Sequence, residues 1–577
     1  MGSIWLLLLP ALFQTDSAAA LERAREAQAE FERIRIAHLP RVYAGSRTRC
    51  DEVVGRFCFW HGDEEEEDSW EPPPEPARIK AARKRLIDVL DSVARAFPGD
   101  DWTAGQLVRY LVEDGRSNEA VPAANRCRAT AWWCRALLGY ALHWSGEFTK
   151  AEAAFEQALG LMPERERCAW EDLSPLLEGS YGFYRRASCE ERRLLERRIW
   201  WLADPFFSVP GNERRTEHLA RRVMDRMQER AHSAYGFRWG SDLRELLVRY
   251  GWPVAWARDE SAAHLDATRP VIIAYNAPRG RRFIPPGEVV LDPGASDESW
   301  ELKPDFPRST YAVPYARRLE PAEAQLVAFL RGDSVIVVGA YDLSVSRHQR
   351  AGRRNPKEPN PVSGNGGGEE IEAALAISAN PGEPPLIVRH RSGSGRGVLA
   401  AFYPGTSGVV SLELLSRTDS TAYRARRWIA MPKPASGITL SEPLLFSIPR
   451  ADSLPRSLAE VLPSALGAAR IAEGEGVGVY WEIYSAKSDA VSVGVSLSRE
   501  VGVIGRLGAA LGIGSSKRDR VELDWPDRVD ARRPVSHSVW LSLPQFQDGT
   551  YRLEVKVLTS SGERVRTARA LRIERRR

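Results

Sequence analysis

The 577-residue chain has no cysteine after Cys189, only 5 methionines and 9 scattered histidines, and no dominant sign of charge. Lys+Arg number 81 against 77 for Asp+Glu, a net of +4. So small a surplus gives no general pull toward nucleic acid or anionic lipid. Arginine outnumbers lysine roughly eight to one, which reads as codon bias and not as a phosphate-binding signal. No apolar run approaches the ~20 residues of a bilayer-crossing helix, which argues against a polytopic membrane protein. With 27% charged and 43% hydrophobic residues, the composition is that of a globular chain, neither a disordered regulator nor a coiled-coil rod. No H-E-x-x-H, Walker or Rossmann fingerprint occurs. At about 150 residues per domain, the length predicts roughly four domains.

What is present begins at the N-terminus. Ile4–Phe13 is an apolar run of about ten residues, suited to the core of a signal peptide. Ser17-Ala18-Ala19 and Ala18-Ala19-Ala20 fit the small-x-small cleavage rule, although no Lys or Arg precedes the run. The expectation is an exported chain whose mature form has no transmembrane span.

The cysteines are Cys50, Cys58, Cys127, Cys134, Cys168 and Cys189, an even set in the first third of the chain. In an exported chain that pattern suggests disulfides, and the spacing favours Cys50–Cys58, Cys127–Cys134 and Cys168–Cys189 among about 15 connectivities. Cys127 and Cys134 cannot pair within one continuous helix, because seven residues rise roughly 10 Å. They can pair across a helix–turn–helix corner. Cys50, Cys58 and His61 match no standard zinc spacing.

Leu21, Ala24, Ala27, Phe31 and Ile34 recur at helical spacing, and Pro40 ends that helix. His61–Pro76 is an acidic, proline-rich spacer. From Ala131 the text AWWCRALLGYALHWSGEFTKAEAAFEQALGLMP resembles a tetratricopeptide repeat of ~34 residues. Leu138 and Gly139 supply the large and small residues of its first helix, and Gly146 and Phe148 the turn and its plug. Ala151, Phe155 and Ala158 form the stripe of the second helix, and Pro163 stops it. Trp102–Cys127 is a weaker copy carrying Leu107, Gly115 and Ala120.

Residues 199 to about 258 resemble the GWxTD-domain family of exported bacterial proteins. The likeness rests on Trp201–Pro205 with Asn212, Glu213 and Glu217, on Trp239-Gly240-Ser241-Asp242, and on Tyr250-Gly251-Trp252-Pro253. Arg238 stands where the family's first glycine is usual, and Ser241 where threonine is. The resemblance implies export and contributes no catalytic residue. Read directly, Asn212 caps a helix whose apolar face is Leu219, Val223, Met227 and Ala231. Asp242 and Glu245 have capping-box spacing, and Gly251 and Pro253 end the helix that follows. Trp239, Ser241, Asp242, Tyr250, Gly251 and Pro253 are therefore read as structural. The opposing reading gathers Glu213, Glu217, His218 and Asp242 into an acid–base or metal site.

The C-terminal 240 or so residues read as two immunoglobulin-like sandwiches of short strands, several in the first set alternating at period two, as at Val410, Leu412 and Leu414. The first set runs Ser334–Ser346, Ile371–Ser378, Leu386–His390, Gly397–Tyr403, Val409–Leu415, Ala422–Ala430 and Ile438–Ser447. The proline- and glycine-rich stretch Ala351–Gly368 is an insertion between its first two strands. After a helical connector at Ser457–Ile471, six more strands follow between Val477 and Ile573, and Asp548–Tyr551 resembles a tyrosine corner. Arg331-Gly332-Asp333-Ser334 is a turn before a buried strand. The glycine-rich Gly505–Lys517 lacks the glycine a phosphate loop needs before its lysine.

The fold class expected is multidomain α then β: a tetratricopeptide-like helical-hairpin stack, an α-rich GWxTD-like segment and two C-terminal immunoglobulin-like β-sandwiches. The divisions are a signal peptide (1–20), a helix and acidic spacer (21–76), the repeat region (77–198), the GWxTD-like segment (199–260), a mixed connector (261–330), sandwich 1 (331–450), a helical connector (451–472) and sandwich 2 (473–577). The function expected is an exported, non-enzymatic interaction or scaffold protein of the bacterial envelope. It would bind a protein partner through the repeats or sandwich loops, with no nucleic acid, cofactor, metal or catalytic residue. The alternatives are an exported hydrolase with its site at residues 200–260, or a carbohydrate- or peptide-binding module using sandwich aromatics.

Overall fold

The computed structural model describes residues 9–43, 50–61, 71–260, 271–277, 280–295, 300, 302, 308–344, 370–434, 437–447, 454–500, 520–531, 533–544 and 546–575, with side chains from Ser17 onward. Ala351–Gly368, Gly505–Lys517 and most of the acidic spacer lie outside these residues. The chain forms two compact units, residues 1–291 with 302–318 and residues 292–301 with 319–577. The first is mainly helical and the second is built of strands.

Helix α1 spans Leu9–His38 and stops two residues before Pro40, with Ala24 and Phe31 buried. Helix α2 (Ala77–Ala96) packs beside it, burying Leu86 and Leu90. Two helical hairpins follow: α3 (Asp101–Glu113) with α4 (Ser117–Asn125), and α5 (Ala131–Trp144) with α6 (Phe148–Leu161). Their turns are the same. Gly115 (φ 73°) and Gly146 (φ 79°), 31 residues apart, each take the left-handed C-terminal position. The Arg116 N–H then reaches the Leu111 carbonyl at 2.8 Å, and the Glu147 N–H reaches Leu142 at 3.0 Å. This double closure is the glycine-terminated helix stop that leaves few carbonyls unpaired. In the second hairpin Gly139 admits the Phe155 ring, since a Cβ there would sit 2.7 Å from Phe155 Cδ1. Ala151 and Ala158 are fully buried on the same contact.

The cysteines form Cys50–Cys58, Cys127–Cys134 and Cys168–Cys189, the pairs that spacing favours. Cys127 lies past the end of α4 and Cys134 in the first turn of α5, so their bond spans a corner with Cα atoms 5.5 Å apart.

Helices α7 (Glu164–Glu171), α8 (Gly182–Arg186), α9 (Cys189–Ala203), α10 (Glu213–Gln228), α11 (Ser241–Tyr250) and α12 (Gly287–Leu291) complete the helical part. Strand β1 (Arg41–Val42) is one edge of a small sheet, β2 (Glu52–Val54) and β3 (Phe57–Phe59) make a separate hairpin, and β4 (Ala255–Asp259) and β5 (Val271–Tyr275) finish the sheet with β1. Helix α10 packs against α3, α5, α6, α9 and α11. Leu219, Val223, Met224 and Met227 belong to the same apolar core as Leu107, Trp133 and Phe155. The helices on either side of the expected division at residue 199 therefore share one core. The reason is that α10 is buried on nearly every side, a tertiary fact its amphipathic pattern does not disclose.

In the second unit the strands are β6 (Arg318–Pro321), β7 (Ala324–Arg331), β8 (Ser334–Asp342), β9 (Ile371–Ser378), β10 (Leu386–Ser392), β11 (Arg396–Tyr403), β12 (Ser407–Ser416) and β13 (Thr421–Ala430). They form a five-stranded sheet, β10-β9-β12-β13-β6, facing a three-stranded one, β11-β8-β7, around Val335, Leu375, Leu399 and Leu412. Next come β14 (Ile438–Leu440), β15 (Leu444–Phe446), helix α13 (Leu458–Val461), β16 (Arg470–Ala472), β17 (Val477–Ser485), β18 (Asp489–Arg499), β19 (Arg520–Val529), β20 (Val535–Leu541), β21 (Gly549–Thr559) and β22 (Arg564–Glu574). Here β17 pairs with β14, β15 and β20, opposite β16-β22-β21-β18-β19.

Three expectations need correction. Ile438–Ser447 is two short strands on β17 and so belongs to the second pair of sheets. The connector at Ser457–Ile471 is helical only over residues 458–464, one α turn (α13) followed by a 3-10 turn that contains Pro463. Strands β6 and β7 lie largely in what reads as a connector. Period-two alternation is missing from β7 because both faces are covered: Leu326, Ala328 and Leu330 face their own sandwich, while Val327 and Phe329 join Phe446 and Tyr480. Arg331 and Ser334 pair across the turn at Gly332 (φ 69°), and Arg331 donates to Glu482 at 2.6 and 2.9 Å. The Tyr551 hydroxyl donates to the Gln547 carbonyl at 2.9 Å, tying the loop before β21 to its strand.

Candidate functional site

The segment with the most conspicuous polar residues is 199–258, and α10 is its centre. Asn212 caps α10 as expected: its Oδ1 accepts the Arg215 N–H at 2.9 Å, and its Nδ2 donates to the Trp200 carbonyl at 2.6 Å. One turn in, Glu217 lies 2.9 Å from His143 Nε2 of α5 and accepts from Arg221 Nε at 2.7 Å. Arg221 continues to the carbonyls of Val248, Arg249 and Thr310 at 2.9–3.0 Å. Burial opposes the Glu217 charge, but Arg221 and His143 outweigh it and hold the carboxyl far below its usual range.

Thr216 Oγ1 lies 2.9 Å from His143 Nδ1, so hydroxyl, imidazole and carboxylate stand in the order of a hydrolase triad. Thr216, His143 and Glu217 are only 0, 5 and 7% exposed, and the hydroxyl already donates to the Glu213 carbonyl. A substrate atom has no path to it, and the chain of bonds works as a tie between α5 and α10. His218 points elsewhere, with Nε2 3.2 Å from the Trp170 carbonyl, and burial pushes its imidazole well below the ordinary value. Arg214 is held between the rings of Trp200 and Tyr311, 5.5 and 5.6 Å from their centres. Burial, reinforced by Arg221, depresses its guanidinium.

The motif residues each find a different neighbour. Trp239 Nε1 donates to Asp225 Oδ1 of α10 at 2.7 Å, and Arg244 takes the other carboxylate oxygen at 2.7 Å. Ser241 is exposed at the start of α11. Asp242 does not form the expected capping box with Glu245. It already sits inside α11, and the guanidinium of Arg56 reaches it from the β2–β3 turn at 2.5 and 3.1 Å. Its Oδ1 also accepts the Leu243 N–H at 2.8 Å, and the N-cap position belongs to Gly240, so Asp242 stands out of register for the Glu245 N–H. Gly55 permits the approach of Arg56, because a Cβ there would be 2.4 Å from Asp242 Cβ. Glu245 instead holds Arg249 at 3.2 Å. The Tyr250 hydroxyl donates to Glu52 at 2.6 Å, and its ring stacks on Phe59 with centres 3.7 Å apart. Gly251 (φ 87°) leaves room for Arg221, whose Nη2 would be 3.1 Å from a Cβ. Pro253 is buried.

Glu213, Glu217, His218 and Asp242 are thus dispersed: Glu213 meets Tyr315 at 3.0 Å, and the others have the partners given above. Among the described residues no cluster of three His, Cys, Asp or Glu is placed to hold a metal ion. A cavity of about 40 Å³ beside Trp102, Trp133 and Met227 is far below the ~300 Å³ of small ligand sites. His143, Asp225, Arg56 and Glu52 were not legible as partners. Only Glu217–Arg221 and Glu245–Arg249, at i,i+4, carried a local signal.

Helical unit and sandwich-like sheets define a modular α-then-β protein. No family model matches the chain. A search of curated proteins finds no match either. Solved structures give distant similarities: a red sea bream transglutaminase (9% identity, 44% of this chain, TM-score 0.14), a DUF3823 family protein from Bacteroides ovatus (10%, 36%, 0.15) and Escherichia coli alpha-2-macroglobulin activated by porcine elastase (12%, 44%, 0.14). The alignments span 32, 88 and 24% of those chains, respectively.

Proposed function

We propose that this is an exported, non-enzymatic interaction or scaffold protein of the bacterial envelope, with a divergent GWxTD-like segment at the centre of a tetratricopeptide-like helical unit. The observation that carries the reading is the fate of the polar residues at 199–258. Each is drawn into a separate tie, Glu217 to His143 and Arg221 in the interior, Asp225 to Trp239 and Arg244, and Asp242 to Arg56 nearer the surface. Residues committed to holding helices together are not disposed around a common reacting atom. Export is supported by three disulfides, which persist in oxidising compartments. It is further supported by the signal-like N-terminus, and no described helix is long and apolar enough to cross a membrane.

The test has two arms. Mass spectrometry of the protein from an envelope fraction should find a mature N-terminus just after Ala19 or Ala20. Affinity purification of the tagged full chain from its native envelope should recover a stoichiometric companion. Recovery of the chain alone, or hydrolytic turnover lost in a His143→Gln variant that remains folded, would overturn the reading.

A further inference from the structure

Helix α10 buries three guanidiniums, Arg214, Arg221 and Arg222, and they are unequally provided for. Arg221 meets the Glu217 carboxylate and three backbone carbonyls. Arg222 donates to the Asp172 carbonyl at 2.6 Å and is stabilised by the Asp225 charge. Arg214 is the most deeply buried of the three, at 1% exposure. Among the described residues, neither of its terminal nitrogens has a hydrogen-bond acceptor. The carboxylates of its own helix are engaged elsewhere: Glu213 accepts the Tyr315 hydroxyl at 3.0 Å, Glu217 is divided between His143 and Arg221, and Asp225 between Trp239 and Arg244.

A guanidinium keeps its charge at neutral pH, and burial strips it of the water that would accept its N–H groups. Contact with the Trp200 and Tyr311 rings offsets part of that loss, but a ring face does not replace an in-plane acceptor. The Tyr311 hydroxyl is in the same condition, buried and with no hydrogen-bond partner among the described residues. Its ring centre is 5.6 Å from Arg214 Cζ, so two sets of unmet donors are close neighbours. The charge that acts most strongly on Arg214 is that of Arg221, ahead of Glu217, which favours a negative ligand over a neutral one. Trp200 and Tyr311 are themselves buried, so that ligand must be small and must shed its water. A single-atom anion meets those terms, because it accepts N–H and O–H groups from any direction.

We propose that Arg214 and the Tyr311 hydroxyl bind one halide ion, with chloride the natural occupant, inside the helical unit. The ion would accept from the Arg214 terminal N–H groups and from the phenol, and so complete the charge balance near the start of α10. The site goes beyond the interaction reading of the protein and does not depend on it. Its consequence is a fold whose stability depends on a specific anion.

The test compares the full chain in sodium chloride, sodium bromide and sodium methanesulfonate at equal ionic strength and pH. The thermal midpoint should rise saturably in either halide relative to methanesulfonate. Arg214→Met, which fills similar space without the charge, should erase that difference. Crystals of the wild type grown in bromide should show an anomalous peak in contact with the Arg214 terminal nitrogens and the Tyr311 hydroxyl, a readout that does not require the variant to fold. Equal midpoints in the three salts, or a halide effect retained in Arg214→Met, would overturn the proposal. So would a light atom at that position in place of the bromide peak, which assigns the place to water. A peak without any effect on the midpoint would mean binding at crystal concentration only, and would overturn it as well.

Discussion

Glu217 binds His143 with one carboxylate oxygen, at 2.9 Å, and Arg221 with the other, at 2.7 Å, although all three are nearly inaccessible to water. The relationship couples α5, α10 and, through Arg221, the end of α11. A buried ion pair broken on one side leaves an uncompensated charge, at a cost of about 3–5 kcal/mol. Glu217→Gln should destabilise the helical unit by that amount in urea denaturation. Because the folded carboxyl titrates below its unfolded value, its contribution is present above about pH 4.5 and lost as pH falls. The variant should show a correspondingly shallower loss of stability on acidification. An unchanged acid limb would refute the role given to Glu217.

Glu196 runs the opposite way. Burial, aided by Glu171 and Asp172 and opposed by the Tyr184 hydroxyl at 2.7 Å, pushes its carboxyl up to about 8. A carboxyl raised on folding stabilises most below its unfolded value, and that contribution declines as pH rises toward 8. Thermal midpoints of the wild type should therefore fall between about pH 5 and pH 8. Glu196→Gln, which still accepts the tyrosine hydroxyl, should flatten that slope. A parallel slope in the two proteins would place the titration elsewhere.

Gly139 and Gly146 are needed for different reasons. A Cβ at Gly139 would lie 2.7, 2.8 and 2.9 Å from Phe155 ring atoms, whereas nothing lies within 4 Å of one at Gly146. Gly139→Ala should cost about 1–3 kcal/mol through overpacking and be partly relieved by Phe155→Leu. Gly146→Ala should cost about 1–2 kcal/mol through its left-handed φ alone, unaffected by the second substitution. A double-mutant cycle measures the coupling, and additivity at position 139 would contradict the packing account.

Trp239→Phe keeps the apolar body but removes the N–H that meets Asp225. The cost should be about 1–2 kcal/mol. Asp242→Asn weakens a pair whose Arg56 partner is 54% exposed, so it should cost under about 1 kcal/mol. Chemical denaturation of both variants ranks the two motif residues. The reverse order would mean that the ion pair, not the indole, anchors α11.

How much of this could be read beforehand follows from the range of the interactions. The α5–α6 hairpin was legible because Gly139, Gly146, Ala151 and Phe155 act on neighbours within one repeat. The Asn212 cap and the short strands of the second sandwich were legible for the same reason. The Asp242–Glu245 cap failed because the helix starts two residues earlier, at a Gly240 N-cap, which leaves Asp242 to accept the Leu243 N–H and the guanidinium of Arg56, 186 residues away. Strand β7 was missed because contacts on both faces erase the alternation that marks a half-buried strand.

Local periodicity, turn chemistry and cysteine spacing were determined by the sequence itself, since each is settled within a few residues by backbone geometry. Only the tertiary structure decided that α10 is a core helix, that Glu217 faces His143, and that Arg214 lies between Trp200 and Tyr311. Those outcomes depend on which distant surfaces bury one another, and burial sets both the cost of a charge and the partner that offsets it.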